Sequence, residues 1–554
     1  MNAKTPARAP RFPQEPAEKT TLPFYTKRVK THKYYNSISL KGGVYLQRKI
    51  KRLLCAAAAL LCAITFAVPV SADEPYDVYN YNDQDEAVPS QAGYLAQRSV
   101  SGLDLGTTAL STPSDLFKDK DDNFYLVDSG NNRILKIDSE FETLLKIYDT
   151  FTMPDGSQTA LKNPKGVYVS PDTGLMYIAD SDNARALVCR ADGTVDMEIT
   201  KPESAVYDQE TTFMPQKILC DNAGNIYIVL HNTTKGAAMF TAAGDFIGYY
   251  GANAVAATAE VIANHFWNAI ASEEEKRFRT RSTPTAFDNF DIDTEKGFIF
   301  TSTSSGTANT DIVKKVNPEG YNLFSYMSNY VWGDLFSTWY SGTSYKTKVV
   351  DIDIGDDGSI NCLDATTGRV FQYDKEATLL FIMGATGDQV GAFNAGTVAA
   401  VETKGKNCEN IYVLDSGRGT VTVFGQTVFG QIVHYATGLY NGGYYEEALA
   451  PWLEVLKRDG NYRRAYIGIS SAYYNLGEYE KSMDYAKKAD STRRYNRAFE
   501  RYRSQWLRAH LTELLVIAVL LIAGIWVCRK IVFPRIYKKY LKPIEQKTVH
   551  LEKT

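Results

Sequence analysis

The middle of this chain repeats one plan, and that repetition restricts the fold more than any other feature. Residues 113–138 read PSDLFKDKDDNFYLVDSGNNRILKID, and residues 164–188 read PKGVYVSPDTGLMYIADSDNARALV. Both run proline, an alternating apolar stretch, a polar turn, a second stretch ending in Asp, then Asn, Arg and a third stretch. Asp128, Asn131 and Arg133 thus match Asp180, Asn183 and Arg185. A third copy, 215–229, loses the Asp, and a divergent fourth spans 290–316. The fifth, 350–373, carries Asp364 and Arg369; the sixth, 398–424, carries Asp415 and Arg418. Period-2 alternation broken by Gly, Asn and Asp predicts three or four short strands per unit. So small a sheet cannot bury both faces alone. Radial stacking covers them and leaves only short edges.

These units resemble NHL repeats over about 330 residues. The resemblance implies a mainly β chain with a six-bladed propeller over 96–425, and segment 96–110 is expected to close the ring against the last blade. Insertions at 252–283 and 328–345 flank the fourth unit. The first has a helical apolar stripe through Val255, Ala259, Ile262, Phe266 and Ile270. The second gathers Tyr330, Trp332, Phe336, Trp339, Tyr340 and Tyr345.

A helical neck is expected next. Tyr440, Asn441, Gly443, Tyr445 and Glu446 recur 34 residues on as Tyr474, Asn475, Gly477, Tyr479 and Glu480. That period resembles the tetratricopeptide repeat. Residues 440–490 hold about one and a half such repeats, fewer than the three that ordinarily stand alone. The neck should therefore pack on the propeller, on the following helix or on a partner. A basic helix, 491–510, leads to an apolar stretch at 511–533, long enough to span a bilayer, and to a basic tail at 534–554. At the other end, 1–72 reads as a basic extension plus signal peptide, with its apolar core at 53–70 and cleavage after Ala72. The extension is long for a signal, so an alternative start at Val44 or Leu46 is expected. The signal orients the chain with 73–510 outside and the C-terminus in the cytoplasm; an uncleaved anchor would orient it the same way.

Composition then narrows the chemistry. The net charge of −3 offers no basic field for nucleic acid. Seven Cys in 554 residues make no disulfide scaffold. Cys189, Cys220, Cys362 and Cys408 read as buried small hydrophobes, with 189–220 and 362–408 as the alternative pairings. No phosphate loop and no nucleophile motif occurs. The repeated Asp128, Asn131, Arg133, Asp180, Asn183, Arg185, Asp364, Arg369, Asp415 and Arg418 read as structural, because a catalytic constellation is singular. Their Asp caps a turn, and their Arg packs or pairs within the blade.

The resemblance also brings in propeller lactonases and lyases, which hold a metal through carboxylate, Asn or His ligands around the central channel. His231, or a ring of Asp128, Asp180, Asp364 and Asp415, would be the ligands here. No lactonase ligand set matches residue by residue, so no catalytic residue, metal or cofactor is assigned. Tyr330, Trp332, Trp339 and Tyr340 are the candidate binding surface, since aromatic faces stack on sugars or anchor proteins. The function expected is a membrane-anchored, extracytoplasmic binding module at the cell membrane. Its partners would be the bilayer, another membrane protein, and a glycan or small solute. The arrangement resembles accessory components of carbohydrate transport systems; the alternative is a lactonase-type hydrolase or lyase.

Overall fold

The computed structural model describes residues 76–82, 86–207, 209–231, 233–251, 288–303, 312–326, 332–335, 339–340, 343–344 and 346–544. The signal segment and the 252–283 insertion lie outside the described residues.

Six antiparallel sheets form the blades of a propeller, at 115–148, 164–199, 215–250, 289–316, 349–383 and 398–426. Five have four strands, and the fourth has three among the described residues. The innermost strands are Asp115–Lys118, Pro164–Val169, Pro215–Cys220, Asn289–Asp293, Val349–Ile354 and Val398–Lys404. Each neighbours the next, and the sixth returns to the first, so the ring is closed. The second strands are apolar on both faces; Phe124–Asp128 and Met176–Asp180 are buried at every residue. This is the pattern of a sheet covered on each side by another sheet.

Closure comes from the N-terminal side of the chain. Tyr94–Ser101 pairs antiparallel with Thr420–Gln426, Tyr94 opposite Gln426 and Ser101 opposite Thr420. The strand begins two residues before the expected segment. It stops at Ser101 because Asp104 accepts hydrogen bonds from the Ser101 backbone N (2.8 Å) and Oγ (2.7 Å) and turns the chain.

The last blade strand runs directly into the neck. Thr427 caps the first neck helix, Val428–Asn441, its side chain accepting from Gly430 N at 3.1 Å. The helices Tyr445–Arg458, Arg463–Asn475 and Tyr479–Lys488 follow, each packed on the one before. The 34-residue match has a local cause. Gly443 and Gly477 both have positive φ (84° and 79°), and Tyr444 N and Glu478 N reach back to Leu439 O and Tyr473 O. Only glycine takes that left-handed position without strain.

A final helix runs from Thr492 to Ile544, 53 residues in all. Its first turns lean on the neck through buried Ala498. Its apolar part is long enough to cross a membrane and is not buried against the rest of the molecule.

One hydrophobic core joins the blade 5–blade 6 junction to the neck, running from Leu363, Phe381 and Val401 to Phe429, Trp452 and Ile469. Phe381 is its hinge pin. Its ring lies 5.8 Å from Tyr94, 6.0 Å from Phe429, 6.0 Å from His434 and 6.2 Å from Tyr462. Gly93 admits that ring, since a Cβ there would sit 2.3 Å from it. Phe381→Ala removes the shared contact and is expected to lower the unfolding free energy by about 3–5 kcal/mol. Urea denaturation followed by Trp fluorescence checks this; a loss under 1 kcal/mol would mean that neck and propeller do not share a core.

Candidate functional site

The repeat residues build the blades. Asp128 Oδ1 accepts from Ser111 N (2.7 Å), and its Oδ2 from Asn131 Nδ2 and Arg133 Nε (both 2.8 Å). Asp180 repeats this with Lys162 N, Asn183 and Arg185, each at 2.8 Å. The carboxylate thus ties the loop entering each blade to its second strand. Asp364 accepts from Lys348 N at 2.7 Å and Thr367 Oγ1 at 2.6 Å. Asp415 accepts from Asn394 N at 3.0 Å, with Arg418 3.7 Å away. Arg369 departs from the plan: it pairs with Asp334 at 2.8 Å.

The aromatic insertion differs from the expected surface platform. Trp332 is fully buried, 5.3 Å from Phe324 and 4.6 Å from Tyr373. Its neighbour Asp334 draws it inward, held by Arg369, Tyr79 and Tyr81 of the N-terminal hairpin. Trp339–Tyr340 form a short strand paired with Thr343–Ser344, and Tyr330 lies outside the described residues. His231 is exposed at the end of a blade 3 strand, its N–H bonded to Met214 O, and is not among the residues around the channel cavity. The four cysteines of the propeller are buried and free.

The concentrated chemistry lies on the channel axis instead. Asp115, Lys217, Asp291, Asp351, Asp353 and Glu402 line a cavity of about 40 Å³. They come from the inner strands of blades 1, 3, 4, 5, 5 and 6. Lys217 Nζ reaches Asp115 and lies 3.5 Å from Asp351, so one ammonium from blade 3 ties blades 1 and 5.

The acids staple neighbouring strands. Asp115 accepts from Val167 N of blade 2 (2.9 Å), Asp291 from Ile354 N of blade 5 (2.7 Å), and Asp351 from Val401 N of blade 6 (2.7 Å). Glu402 accepts from Lys118 N of blade 1 at 3.2 Å. Asn289 adds a bond from blade 4 to Asp351.

These groups were not singled out by spacing. Their only trace in the sequence is a charge inside an apolar strand, as in SDLFK, QKILC, FDID, VDIDI and AVETK.

Five carboxyls face few cations, and their ionisation responds. Burial, with the nearby Asp353, pushes Asp291 up to about 8. Burial pushes Asp351 up to about 7, with Lys217 opposing and Asp115 adding. Glu402 is raised well above the usual carboxylate range by burial and Asp353. Burial alone would lower Lys217, but Asp115 and Asp351 outweigh it and hold it above the ordinary lysine range.

The donor set does not fit an open metal site. Both oxygens of Asp115 and Asp351 already accept from backbone N–H groups, Asn289 or Lys217. Among the described residues no group of three or more His, Cys, Asp or Glu is arranged to hold a metal ion.

Neither a protein-family model nor a curated protein matches the sequence. Several solved structures are similar over part of the chain. They include virginiamycin B lyase from Staphylococcus aureus (10% identity, TM-score 0.35, covering 60% of this chain and 99% of that one). Hydrazine synthase from Kuenenia stuttgartiensis is similar at 9% identity and TM-score 0.35, covering 58% and 97%. A structural-genomics protein from Bacteroides thetaiotaomicron is similar at 9% identity and TM-score 0.36, covering 58% and 70%. At these values the likeness carries no argument.

Two outcomes are expected. Lys217→Met leaves Asp115 and Asp351 enclosed without their cation and should lower stability by about 3–5 kcal/mol; unchanged urea midpoints would refute the bridge. The second concerns pH. Above pH 4 the unfolded carboxyls are ionised, while folded Asp351 holds its proton up to about pH 7 and Asp291 up to about pH 8, so the native state binds more protons. Stability therefore falls as pH rises through that window. Asp291→Asn cannot ionise and should flatten the slope; equal slopes for both proteins from pH 4 to 8 would contradict the assignment.

Proposed function

We propose that this chain is a membrane-anchored binding module, with the propeller as the displayed surface and the neck as its mount. The observation that carries the reading is the single core shared by blades 5 and 6 and the neck, followed by a helix that continues into an apolar span. A rigid mount of this kind serves to present a surface at fixed height and orientation. The helix stays against the neck as far as Arg501, so at 1.5 Å per residue the nine residues from Tyr502 to His510 lift the neck by roughly 14 Å.

The filled channel also favours binding over catalysis. A metal-dependent hydrolase or lyase needs an open coordination position, and here Lys217 and backbone N–H groups occupy the central carboxylates. The orientation we propose puts the propeller outside the cell membrane and the C-terminal tail in the cytoplasm. The partner we propose is another membrane protein, met by the neck or the propeller face. An accessory role in carbohydrate transport is the finer form of this reading; its support is the order of exported propeller, neck and anchor. A sugar or small solute, if bound, would meet Tyr330, Trp339 or Tyr340.

Mild cross-linking of the full-length protein in native membranes tests the proposal. A multi-spanning membrane protein should be recovered with it, and recovery should persist when 511–533 is replaced by an unrelated apolar span, because the contact lies on the neck or the propeller face. Isolation of the chain alone would remove the accessory role. Lactone turnover above background by the purified protein would overturn the binding reading.

A further inference from the structure

His434 lies on the first neck helix, buried against blades 5 and 6. Its Nδ1 is 2.8 Å from Asp357 Oδ2, and its Nε2 is 2.9 Å from Gln372 Oε1 and 3.0 Å from Tyr94 OH. The directions of these bonds follow from two backbone carbonyls, which can only accept. Asn361 Nδ2 donates to the Asp353 carbonyl (3.4 Å) and to Asp353 Oδ2 (3.1 Å), so Asn361 Oδ1 must face the other way. There it accepts from Gln372 Nε2 at 2.9 Å, which turns Gln372 Oε1 towards His434. The Cys408 carbonyl takes the only Tyr94 hydroxyl proton, at 2.8 Å, and Gln372 Nε2 (3.2 Å) and Gln426 Nε2 (3.4 Å) donate to the same oxygen, so that hydroxyl has no proton for His434. Nε2 therefore faces two acceptors, while Nδ1 faces a carboxylate. Each ring nitrogen must donate.

We propose that His434 is a buried, doubly donating imidazolium that pins the neck to the propeller. A neutral ring would set a lone pair either against Gln372 Oε1 and Tyr94 OH or against the Asp357 carboxylate. Turning the two amides to relieve this would aim Asn361 Oδ1 at a carbonyl. The pin is thus locked through Gln372 and Asn361 to Asp353, a channel acid. The other titratable groups facing it are Asp357, Cys408 and Tyr94. Burial alone would raise Asp357, but His434 and Ser359 bring it down to about 2. Burial raises both the Cys408 thiol and the Tyr94 phenol, so neither adds charge at neutral pH. Asp357 supplies the opposite charge, and Phe381 covers the ring at 6.0 Å. This joint is independent of what the propeller binds.

The test uses full-length protein in detergent micelles, labelled with ¹⁵N-histidine. The other five histidines are changed (His32→Gln, His231→Gln, His265→Gln, His510→Gln, His550→Gln), so every signal belongs to His434. Both ring nitrogens should appear protonated at pH 7.5. A neutral tautomer at that pH would overturn the proposal. A second readout compares wild type with His434→Gln. The variant cannot donate to both Asp357 and Gln372, so it should unfold at lower urea than the wild type at pH 7.5. Equal urea midpoints would overturn the pin.

Discussion

The ammonium of Lys217 sits where three inner strands converge, touching Asp115 of blade 1 and lying 3.5 Å from Asp351 of blade 5. A propeller has no layer of core on its axis; the inner strands meet only through their side chains. Apolar side chains would fill that axis without ordering the strands. Here carboxylates take the backbone N–H groups of the following blade at Val167, Ile354 and Val401, and Lys217 balances part of their charge. Each staple sets one blade against its neighbour, so the ring is held in register at its centre as well as at its closing strand. The arrangement costs desolvation of charge, which is why several of the acids keep protons instead.

Blade 5 is the member on which the rest of the molecule converges. Its inner strand supplies Asp351 and Asp353 to the channel. Its outer strand, Leu379–Met383, receives the N-terminal hairpin through Asn80, and Leu380 O accepts from Tyr462 of the neck at 2.9 Å. Arg464 of the neck pairs with Asp374 at 2.7 Å, and Asp459 accepts from Ser90 Oγ at 2.8 Å. Arg369 holds Asp334, and with it buried Trp332. The hairpin of Tyr79–Tyr81 and Ala87–Pro89, Trp332 with Asp334, and the neck are therefore fastened to one blade. A change in the seating of any of them meets the same small set of buried bonds.

Much of this was legible beforehand, for reasons that differ by element. The blades announce themselves because strand alternation and turn residues are local, and because Asp180, Asn183 and Arg185 satisfy one another within a few residues. The neck turns are legible because a left-handed position admits little but glycine, at Gly443 and Gly477. Trp332 misleads because burial of an aromatic insertion depends on Tyr79, Tyr81 and Asp334, about 250 residues apart in sequence. The channel acids and Lys217 were missed because each is one charge in an apolar strand, and their meeting requires the ring to close.

The amino-acid sequence by itself determined the repeat, hence the six-bladed, mainly β architecture, the helical neck and one apolar segment of spanning length. Those follow from patterns read within a few residues of each other. Only the tertiary structure decided which charges face the axis, that Trp332 is core, and that His434 stands between Asp357 and Gln372. Each of those depends on groups from separate blades or from the neck. Only the closed ring and the docked helix bring them within a hydrogen bond's length.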